Sequence, residues 1–326
     1  MQHLIRTSDF TKEEILDIFE DARGFLDFKP CEILKGKIIV TLFFENSTRT
    51  RSSFEIAAKR LGAEIVNLDV GTSSTKKGET MYDTVANINA MGPDAIVIRH
   101  SECGLPESLI GYVDCPIINA GDGRHSHPTQ AFLDLFTIYE HFNGQTEGKK
   151  IAIVGDVRNS RVAGSNRRLL PRFGIDVNLV APDCFKYEGD EFKQFNTIAE
   201  VIDDMDVVMS LRSQLERHNI TYFESLQEYA KDFCITPELM EGRNFLLLHP
   251  GPVNRNIDIS DEVLKDPRCK VLEQVRNGVA VRAAILKKLI LNNKLLKRVL
   301  CNFYLQNWNL YNSLQKLYIL IFFFMI

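Results

Sequence analysis

Three hydroxyl groups and two guanidinium groups lie within the five consecutive residues Ser47-Thr48-Arg49-Thr50-Arg51. They follow the apolar run Lys37–Leu42 and precede a helical pattern, which places them in the turn between a strand and a helix. Backbone N–H groups at the start of a helix have no partner within the helix, and the helix dipole is positive there. This turn is therefore suited to bind an anion of the size of a phosphate group.

A helix is predicted to follow this turn. Ser52 and Glu55 have the spacing of a capping box, apolar side chains then recur on one helical face, and Gly62 ends the pattern. Taken alone, the turn also fits a well-capped helix whose arginines are in water. Later loops of the chain repeat the same design, and this repetition favours the anion site.

Short apolar runs rich in β-branched residues indicate the elements that position this turn. Four runs alternate with helical patterns at Lys37–Phe44, Glu64–Val70, Asp94–Arg99 and Cys115–Ala120. After the polar break Asn143–Gly148, four more follow at Lys149–Gly155, Asp176–Pro182, Asp206–Leu211 and Asn244–His249. The alternation predicts an α/β chain of two domains, each a parallel sheet flanked by helices.

Basic or hydrogen-bonding clusters follow most of the predicted strands. In an open parallel sheet, ligands bind beyond the carboxyl ends of the strands, so these clusters are expected to converge at ligand sites. They are Lys76-Lys77, Arg99-His100, His125–Gln130, Asp156–Arg161, Arg212 with Gln214, and His249-Pro250-Gly251-Pro252.

Two of these clusters suit a carbonyl compound and a dicarboxylate. His127 can donate a hydrogen bond to a carbonyl oxygen and Gln130 can contact an amide, although a histidine in a loop also serves to fasten the loop. Arg161, Arg212 and Gln214 suit a dicarboxylate, because a guanidinium group binds a carboxylate through two parallel hydrogen bonds. A single surface arginine would mean little.

The turn at residues 249–252 offers carbonyl oxygens, since its prolines have no amide hydrogen. These oxygens can accept from an ammonium or amide group, while the alternative is a rigid turn without a ligand. His125 and His127 lack a third ligand nearby, so no metal site is predicted. Gly155–Arg161 lacks the spaced glycines of a dinucleotide site and the Gly-Lys-Ser of a P-loop, so no nicotinamide or ATP cofactor is expected.

Composition excludes several other classes of protein. The 326 residues have 45% hydrophobic and 25% charged residues, enough for two cores, and the net charge of −4 provides no general field for nucleic acid or an anionic membrane. Seven scattered cysteines without a CxxC pair argue against disulfides and indicate a reducing cytoplasm. Met1–Phe10 has no apolar segment of the kind found in a signal peptide.

The end of the chain differs in composition. Residues 293–326 are dominated by apolar and basic residues, and Tyr318–Ile326 is apolar throughout. Nine residues are too few to cross a membrane, which takes about 20. We interpret this segment as an atypical extension, disordered or spurious, with an anchor for a membrane or a partner as the alternative.

Across roughly residues 1–290 the motifs resemble, in order, those of the aspartate/ornithine carbamoyltransferase family. They are Ser-Thr-Arg-Thr-Arg at 47–51, Lys-Lys-Gly-Glu-Thr at 76–80, Ile-Arg-His at 98–100, His-Pro-Thr-Gln at 127–130, Leu-Arg-Ser-Gln at 211–214 and His-Pro-Gly-Pro at 249–252. The last motif resembles the aspartate enzymes, whereas ornithine enzymes have a motif like His-Cys-Leu-Pro. Gly251 departs from the leucine that many aspartate enzymes have.

The resemblance implies a carbamoyl-phosphate-binding domain at residues 1–142 with a C-terminal helix, about 277–292, that returns to it, and an aspartate-binding domain at 143–276. It implies transfer of the carbamoyl group of carbamoyl phosphate to L-aspartate, without a cofactor. The implied catalytic residues are Arg49, Thr50, Arg99, His127 and Lys77. Carbamoyl phosphate is expected to contact Ser47, Thr48, Arg49, Thr50, Ser73, Lys77, Arg99, His127, Gln130, Pro250 and Gly251, and aspartate to contact Lys77, Arg161, Arg212, Gln214, Gly251 and Pro252.

The family also implies an assembly. The loop that carries Ser73 and Lys77 is expected to reach a neighbouring subunit, giving a homotrimer with shared active sites. The sequence does not decide whether regulatory chains or a multienzyme partner bind.

Two other functions stay open at this point. One is an ornithine or related carbamoyltransferase, and the other is a catalytically silent assembly subunit with the same fold.

Overall fold

The computed structural model describes residues 1–68, 80–213, 223 and 225–292. Ser73, Lys77 and Gln214, and the extension at 293–326, lie outside these residues. Within them, no helix combines the length and apolar character needed to cross a membrane.

The first half of the chain forms a parallel sheet with the strand order β2-β1-β3-β4. Its strands are β1 (Ile38–Phe43), β2 (Glu64–Leu68), β3 (Ala95–His100) and β4 (Ile117–Asp122). The helices are α1 (Lys12–Phe25), α2 (Thr48–Arg60), α3 (Met81–Ala90), the short α4 (Leu105–Ser108) and α5 (Pro128–His141). All four strands that were predicted from apolar runs in this half are confirmed.

The second half forms another parallel sheet, ordered β7-β6-β5-β8-β9. Its strands are β5 (Lys150–Val154), β6 (Asp176–Val180), β7 (Lys193–Phe195), β8 (Val207–Ser210) and β9 (Leu246–Leu248). The helices are α6 (Arg161–Leu169), α7 (Leu226–Phe233) and α8 (Pro237–Met240), followed by α9 at residues 271–292. The sequence missed β7, a three-residue edge strand whose first residue is exposed.

Helix α9 leaves the second sheet and packs on helices of the first domain. Lys287 Nζ lies 2.5 Å from Asp21 Oδ1 on α1, and Arg276 donates a 2.8 Å hydrogen bond to the Leu26 carbonyl oxygen. Asn277 Nδ2 donates to Thr137 Oγ1 on α5 at 3.0 Å. The returning C-terminal helix is thus confirmed, although it begins six residues before the predicted residue 277.

Among the residues that the structure describes, the core has three parts. One continuous cluster of buried side chains includes residues of both sheets together with α5, α6 and α9, so the two halves share an apolar contact between their sheets. A second cluster covers the other face of the second sheet, and a third covers the other face of the first sheet. Each sheet is therefore buried on both faces, as expected of parallel strands that read as continuous apolar runs.

Candidate active site

A cavity of about 510 Å³ lies between the two halves at the carboxyl ends of their strands. In both sheets the strand order reverses beside the first strand, at β1/β3 in one and β5/β8 in the other. Such switch points leave a crevice beyond the strand ends because the following helices go to opposite faces. The segments after β1, β5 and β8 line this cavity together with Arg99, which lies near the end of β3, and the segments after β4 and β9 complete it.

The cavity brings together most of the predicted site residues. It is lined by Ser47, Thr48, Arg49, Thr50, Arg99, His127, Gln130, Arg161, Arg212, Pro250, Gly251 and Pro252. Ser73, Lys77 and Gln214 are the predicted residues outside the described part of the chain. Among the residues that the structure describes, no group of His, Cys, Asp or Glu is arranged to hold a metal ion.

The anion-binding turn forms the first turn of α2. Ser47 is the N-cap residue, and its carbonyl oxygen accepts a hydrogen bond from the Arg51 N–H at 3.2 Å. The predicted helix start at Ser52 was wrong, because the helix already begins at Thr48. Ser52 and Glu55 are therefore interior residues, while the free N–H groups of the first turn belong to residues of the predicted anion site.

Glu45 joins two arginines across the cleft. Its Oε2 accepts a 3.1 Å hydrogen bond from Arg99 Nε and a 2.9 Å hydrogen bond from Arg161 Nη2. Arg161 also donates to the Gly123 carbonyl oxygen at 3.0 Å. Sequence reasoning assigned no role to Glu45, although an acidic residue two positions before so basic a turn was a usable signal.

His127 is buried in a positively charged surrounding. Its backbone N–H donates a 2.8 Å hydrogen bond to Ser165 Oγ, and no partner for its Nδ1 is found within the described residues. Burial first, and then the positive charges of Arg99, Arg161 and Arg282, hold the pKa of the imidazole well below its usual range. The side chain is therefore neutral at physiological pH, with one N–H group to donate.

Arg49 lies at the mouth of the cavity and is exposed. Partial desolvation, followed by the positive charge of Arg212, lowers the pKa of its guanidinium. The group lies against the backbone of Gly251, where a Cβ atom would be 3.1 Å from Arg49 Cζ. Gly251 also has a positive φ of 68°, which favours glycine.

A buried network holds the turn at 249–252. His249 Nε2 lies 3.1 Å from Asp258 Oδ2, with both side chains inaccessible to solvent, and His249 Nδ1 accepts a 2.8 Å hydrogen bond from the Gly251 N–H. Asp258 Oδ1 also accepts from Ser213 Oγ, next to Arg212. Sequence reasoning missed Asp258, because its nine-residue separation from His249 carries no motif.

Arg282, from α9, is a buried cation in the wall of the cavity that sequence reasoning also missed. It donates to the Gly278 carbonyl oxygen at 3.2 Å, and its guanidinium lies 5.3 Å from the centre of the Phe54 ring. Burial lowers its pKa to about 10, in spite of the opposing effect of Asp134. It therefore stays charged and adds to the positive potential of the cavity.

Fold and site together define an α/β protein with two parallel-sheet domains and a cleft in which several arginines converge on an anion-binding helix start. Two family models match nearly the whole described chain. The carbamoyl-phosphate-binding domain of aspartate/ornithine carbamoyltransferases matches residues 2–140, and the aspartate/ornithine-binding domain matches residues 147–289. The chain belongs to the aspartate/ornithine carbamoyltransferase family.

Relatives within this family are close. The chain is 99% identical over 294 residues to the aspartate carbamoyltransferase catalytic subunit of Aliarcobacter butzleri, covering 90% of this chain and all of that one. Among solved structures, the M. jannaschii aspartate transcarbamoylase catalytic subunit has a TM-score of 0.81 at 38% identity, covering 90% of this chain and 99% of that chain. The Trypanosoma cruzi aspartate transcarbamoylase with carbamoyl aspartate and phosphate has a TM-score of 0.81 at 33% identity, covering 88% and 95%.

Proposed function

We propose that this chain transfers the carbamoyl group of carbamoyl phosphate to the amine of L-aspartate, giving N-carbamoyl-L-aspartate and phosphate. The observation that carries the proposal is the single cavity that joins an anion-binding helix start to arginines of the other domain. The similarity of the chain to aspartate carbamoyltransferase catalytic subunits supports aspartate as the acceptor. The transfer changes no oxidation state, so it calls for no redox cofactor.

The phosphate group is proposed to bind at the start of α2. The N–H groups of the first turn have no partner within the helix, and the helix dipole favours negative charge there. Arg49 is exposed at the cavity mouth, where it can turn onto the phosphate. The residues assigned to carbamoyl phosphate are Ser47, Thr48, Arg49, Thr50, Arg99, His127, Gln130, Pro250 and Gly251, with Ser73 and Lys77 from the loop outside the described residues.

The carbonyl oxygen is proposed to face Thr50, Arg99 and His127. Attack by the amine converts this oxygen into an oxyanion, and donors that are already in place stabilise it without reorganisation. Neutral His127 donates through its one N–H, while Arg99 supplies the positive charge. The new C–N bond forms, the C–O bond to phosphate breaks with its electron pair, and the phosphate accepts the proton of the amine.

Aspartate is proposed to bind from the second domain. Arg161 and Arg212 line the same cavity and can each take one carboxylate, with Gln214 and Lys77 as further contacts. The carbonyl oxygens of Gly251 and Pro252 are proposed to accept from the amine. In this proposal the carbamoyl-phosphate domain covers residues 1–142 with the returning helix, the aspartate domain covers 143–276, and closure of the cleft brings the substrates to reacting distance.

The direct test is an assay of carbamoyl aspartate and phosphate release with aspartate or ornithine as the acceptor. We expect turnover with aspartate and little with ornithine. Arg49→Ala should abolish turnover in a folded protein, since the phosphate loses a counter-charge worth several kcal/mol, about 3 or more. Near-normal turnover in this folded variant, or preference for ornithine, would contradict the proposal, and no transfer by the unmutated chain would favour an assembly role.

We also propose that the chain acts in pyrimidine synthesis in the cytoplasm. It is proposed to form a homotrimer in which Lys77 completes the site of a neighbouring subunit, and regulatory chains or a multienzyme partner are proposed to bind this trimer. Sedimentation of the purified chain tests the trimer. Mixing inactive Arg49→Ala chains with inactive Lys77→Ala chains should restore activity, because some mixed sites have neither defect. A trimer without recovery after verified subunit exchange would mean that each chain completes its own site.

A further inference from the structure

Asp134 is a fully buried carboxylate to which the proposed reaction assigns no role. It lies on α5, one helical turn after Gln130, with no exposure to solvent. A buried carboxylate is costly unless hydrogen bonds compensate it, so its surroundings should explain its presence.

Three side-chain amides compensate this carboxylate. Gln130 Nε2 and Gln274 Nε2 donate to its Oδ1 at 2.9 and 2.8 Å, and Asn166 Nδ2 donates to its Oδ2 at 2.9 Å. The amides come from α5, α9 and α6, so the cluster joins both domains and the returning helix. Burial raises the pKa of Asp134 to about 6, against the three donors and Arg282, which leaves it ionised at roughly pH 8.

An ionised carboxylate only accepts hydrogen bonds, and it therefore fixes which end of each amide faces it. Gln274 shows the result, because its Oε1 is turned away and accepts a 2.9 Å hydrogen bond from the His249 N–H. Gln130 is held in the same orientation, with its NH₂ group toward Asp134, so its carbonyl oxygen is the group that remains to contact a ligand in the cavity. A carbonyl oxygen accepts from an NH₂ group and does not donate to one.

We propose that Asp134 is a positioning residue that selects the NH₂ group of the substrate, by turning the carbonyl oxygen of Gln130 into the cavity and anchoring the 249–252 turn through Gln274. The inference rests on the proposed carbamoyl-phosphate site. It names the device by which that site distinguishes a carbamoyl group from an acyl group of the same shape. Acetyl phosphate, in which a methyl group replaces the NH₂, is the matching probe.

Asparagine would keep an acceptor oxygen in the place of Oδ1, to which both Gln130 and Gln274 donate, so the substitution that tests the device is Asp134→Leu, which keeps a similar volume and removes both acceptor oxygens. Gln274 is held at its other end by the His249 N–H, and Asn166 Nδ2 has a second acceptor, the Val162 carbonyl oxygen, at 3.1 Å. The Gln130 side chain shows no second hydrogen bond within the described residues, so it is the amide that is released. Its carbonyl oxygen is then no longer directed at the NH₂ group of the ligand.

The measurement is the ratio of the dissociation constants of acetyl phosphate and carbamoyl phosphate, by calorimetry on the full chain near pH 8. In Asp134→Leu the preference for carbamoyl phosphate should fall by on the order of 10- to 100-fold, while acetyl phosphate binding changes little. General damage to packing would weaken both ligands alike and leave the ratio unchanged. An unchanged ratio in the folded variant overturns the inference.

Two further variants complete the test. Thr137→Val removes the hydrogen bond that Asn277 donates to Thr137, another buried link between α5 and α9, and should keep the ratio. The double variant Gln130→Glu/Asp134→Leu has a carboxylate at position 130, which presents an acceptor toward the cavity whichever way it turns. It should therefore recover the ratio even where absolute affinity falls, and failure to do so counts against the inference. If the unmutated chain binds neither ligand, the proposed function fails instead.

Discussion

Glu45→Gln is expected to destabilise the ligand-free protein and to make its stability more dependent on phosphate. The carboxylate accepts hydrogen bonds from Arg99 and Arg161, whose side chains are only 12% and 9% exposed, while that of Glu45 is 22% exposed. A hydrogen bond to a charged group contributes about 1.5–3 kcal/mol. The neutral amide oxygen of glutamine keeps part of this, so we expect a net loss of about 2–4 kcal/mol in the free energy of unfolding.

The phosphate dependence follows from competition. In the unmutated protein a bound anion must share Arg99 with the carboxylate of Glu45. In the variant, residue 45 is neutral and no longer competes with the anion for the charge of Arg99. Phosphate should therefore bind more tightly to the variant, and each tenfold gain adds about 1.4 kcal/mol to the stabilisation by saturating phosphate. Thermal unfolding with and without phosphate measures this, and the loss without phosphate corresponds to roughly 3–6 °C.

Asp94→Asn is the matched control. Asp94 pairs with Lys37 inside the first domain, with side-chain exposures of 26% and 13%, and neither residue lines the cavity. This variant should lose stability without a larger effect of phosphate. The reasoning about Glu45 is refuted if phosphate raises the unfolding temperature of Glu45→Gln and of the unmutated protein by the same amount.

Three other predictions concern the cavity and its supports. Arg212→Ala should raise the KM for aspartate by on the order of 100-fold while carbamoyl phosphate binding stays nearly constant, and equal losses in steady-state kinetics would contradict the two-cluster assignment. Gly251→Leu should weaken phosphate binding at least tenfold, as measured by calorimetry, because its Cβ displaces Arg49 and its positive φ costs about 1 kcal/mol. The pKa of Asp134 is about 6 in the folded protein, against an ordinary value of 3.8, so protonation of this carboxyl group favours the folded state. This stabilisation is complete below about pH 4 and is lost as the pH rises to about 6. Asp134→Asn should remove this component, up to about 3 kcal/mol, from chemical unfolding measured across this pH range.

The strands could be predicted because parallel strands covered on both faces must be apolar throughout, and such runs are visible in the sequence. Strand β7 was not predicted, because a three-residue edge strand needs no apolar run. The start of α2 was misplaced because serine and threonine occur at both possible caps, Ser47 and Ser52, and local spacing does not choose between them. Helix α9 also begins earlier than predicted, at residue 271, and Gln274 in its first turn donates a hydrogen bond to Asp134 on α5.

The motif residues could be predicted because their chemistry depends on residue type and on their place after a strand. Arg49, His127 and Arg212 follow strands, Arg99 lies near the end of β3, and all four line the cavity. The groups that hold them could not be found in this way. Glu45 acts on Arg161, which is 116 positions away, and no periodicity connects such partners. Asp258 and Arg282 likewise act on residues with which they share no motif.

The sequence by itself thus determined the family, the two parallel sheets, and the set of groups that can bind an anion and a carbonyl compound. These depend on local patterns, namely apolar runs, turns and short motifs. Only the tertiary structure decided that Glu45 joins Arg99 to Arg161, that Gly251 makes room for Arg49, and that Asp134 orients Gln130. Direction and protonation of a polar group depend on which distant side chains are buried with it, and that is fixed when the two domains and the returning helix pack together.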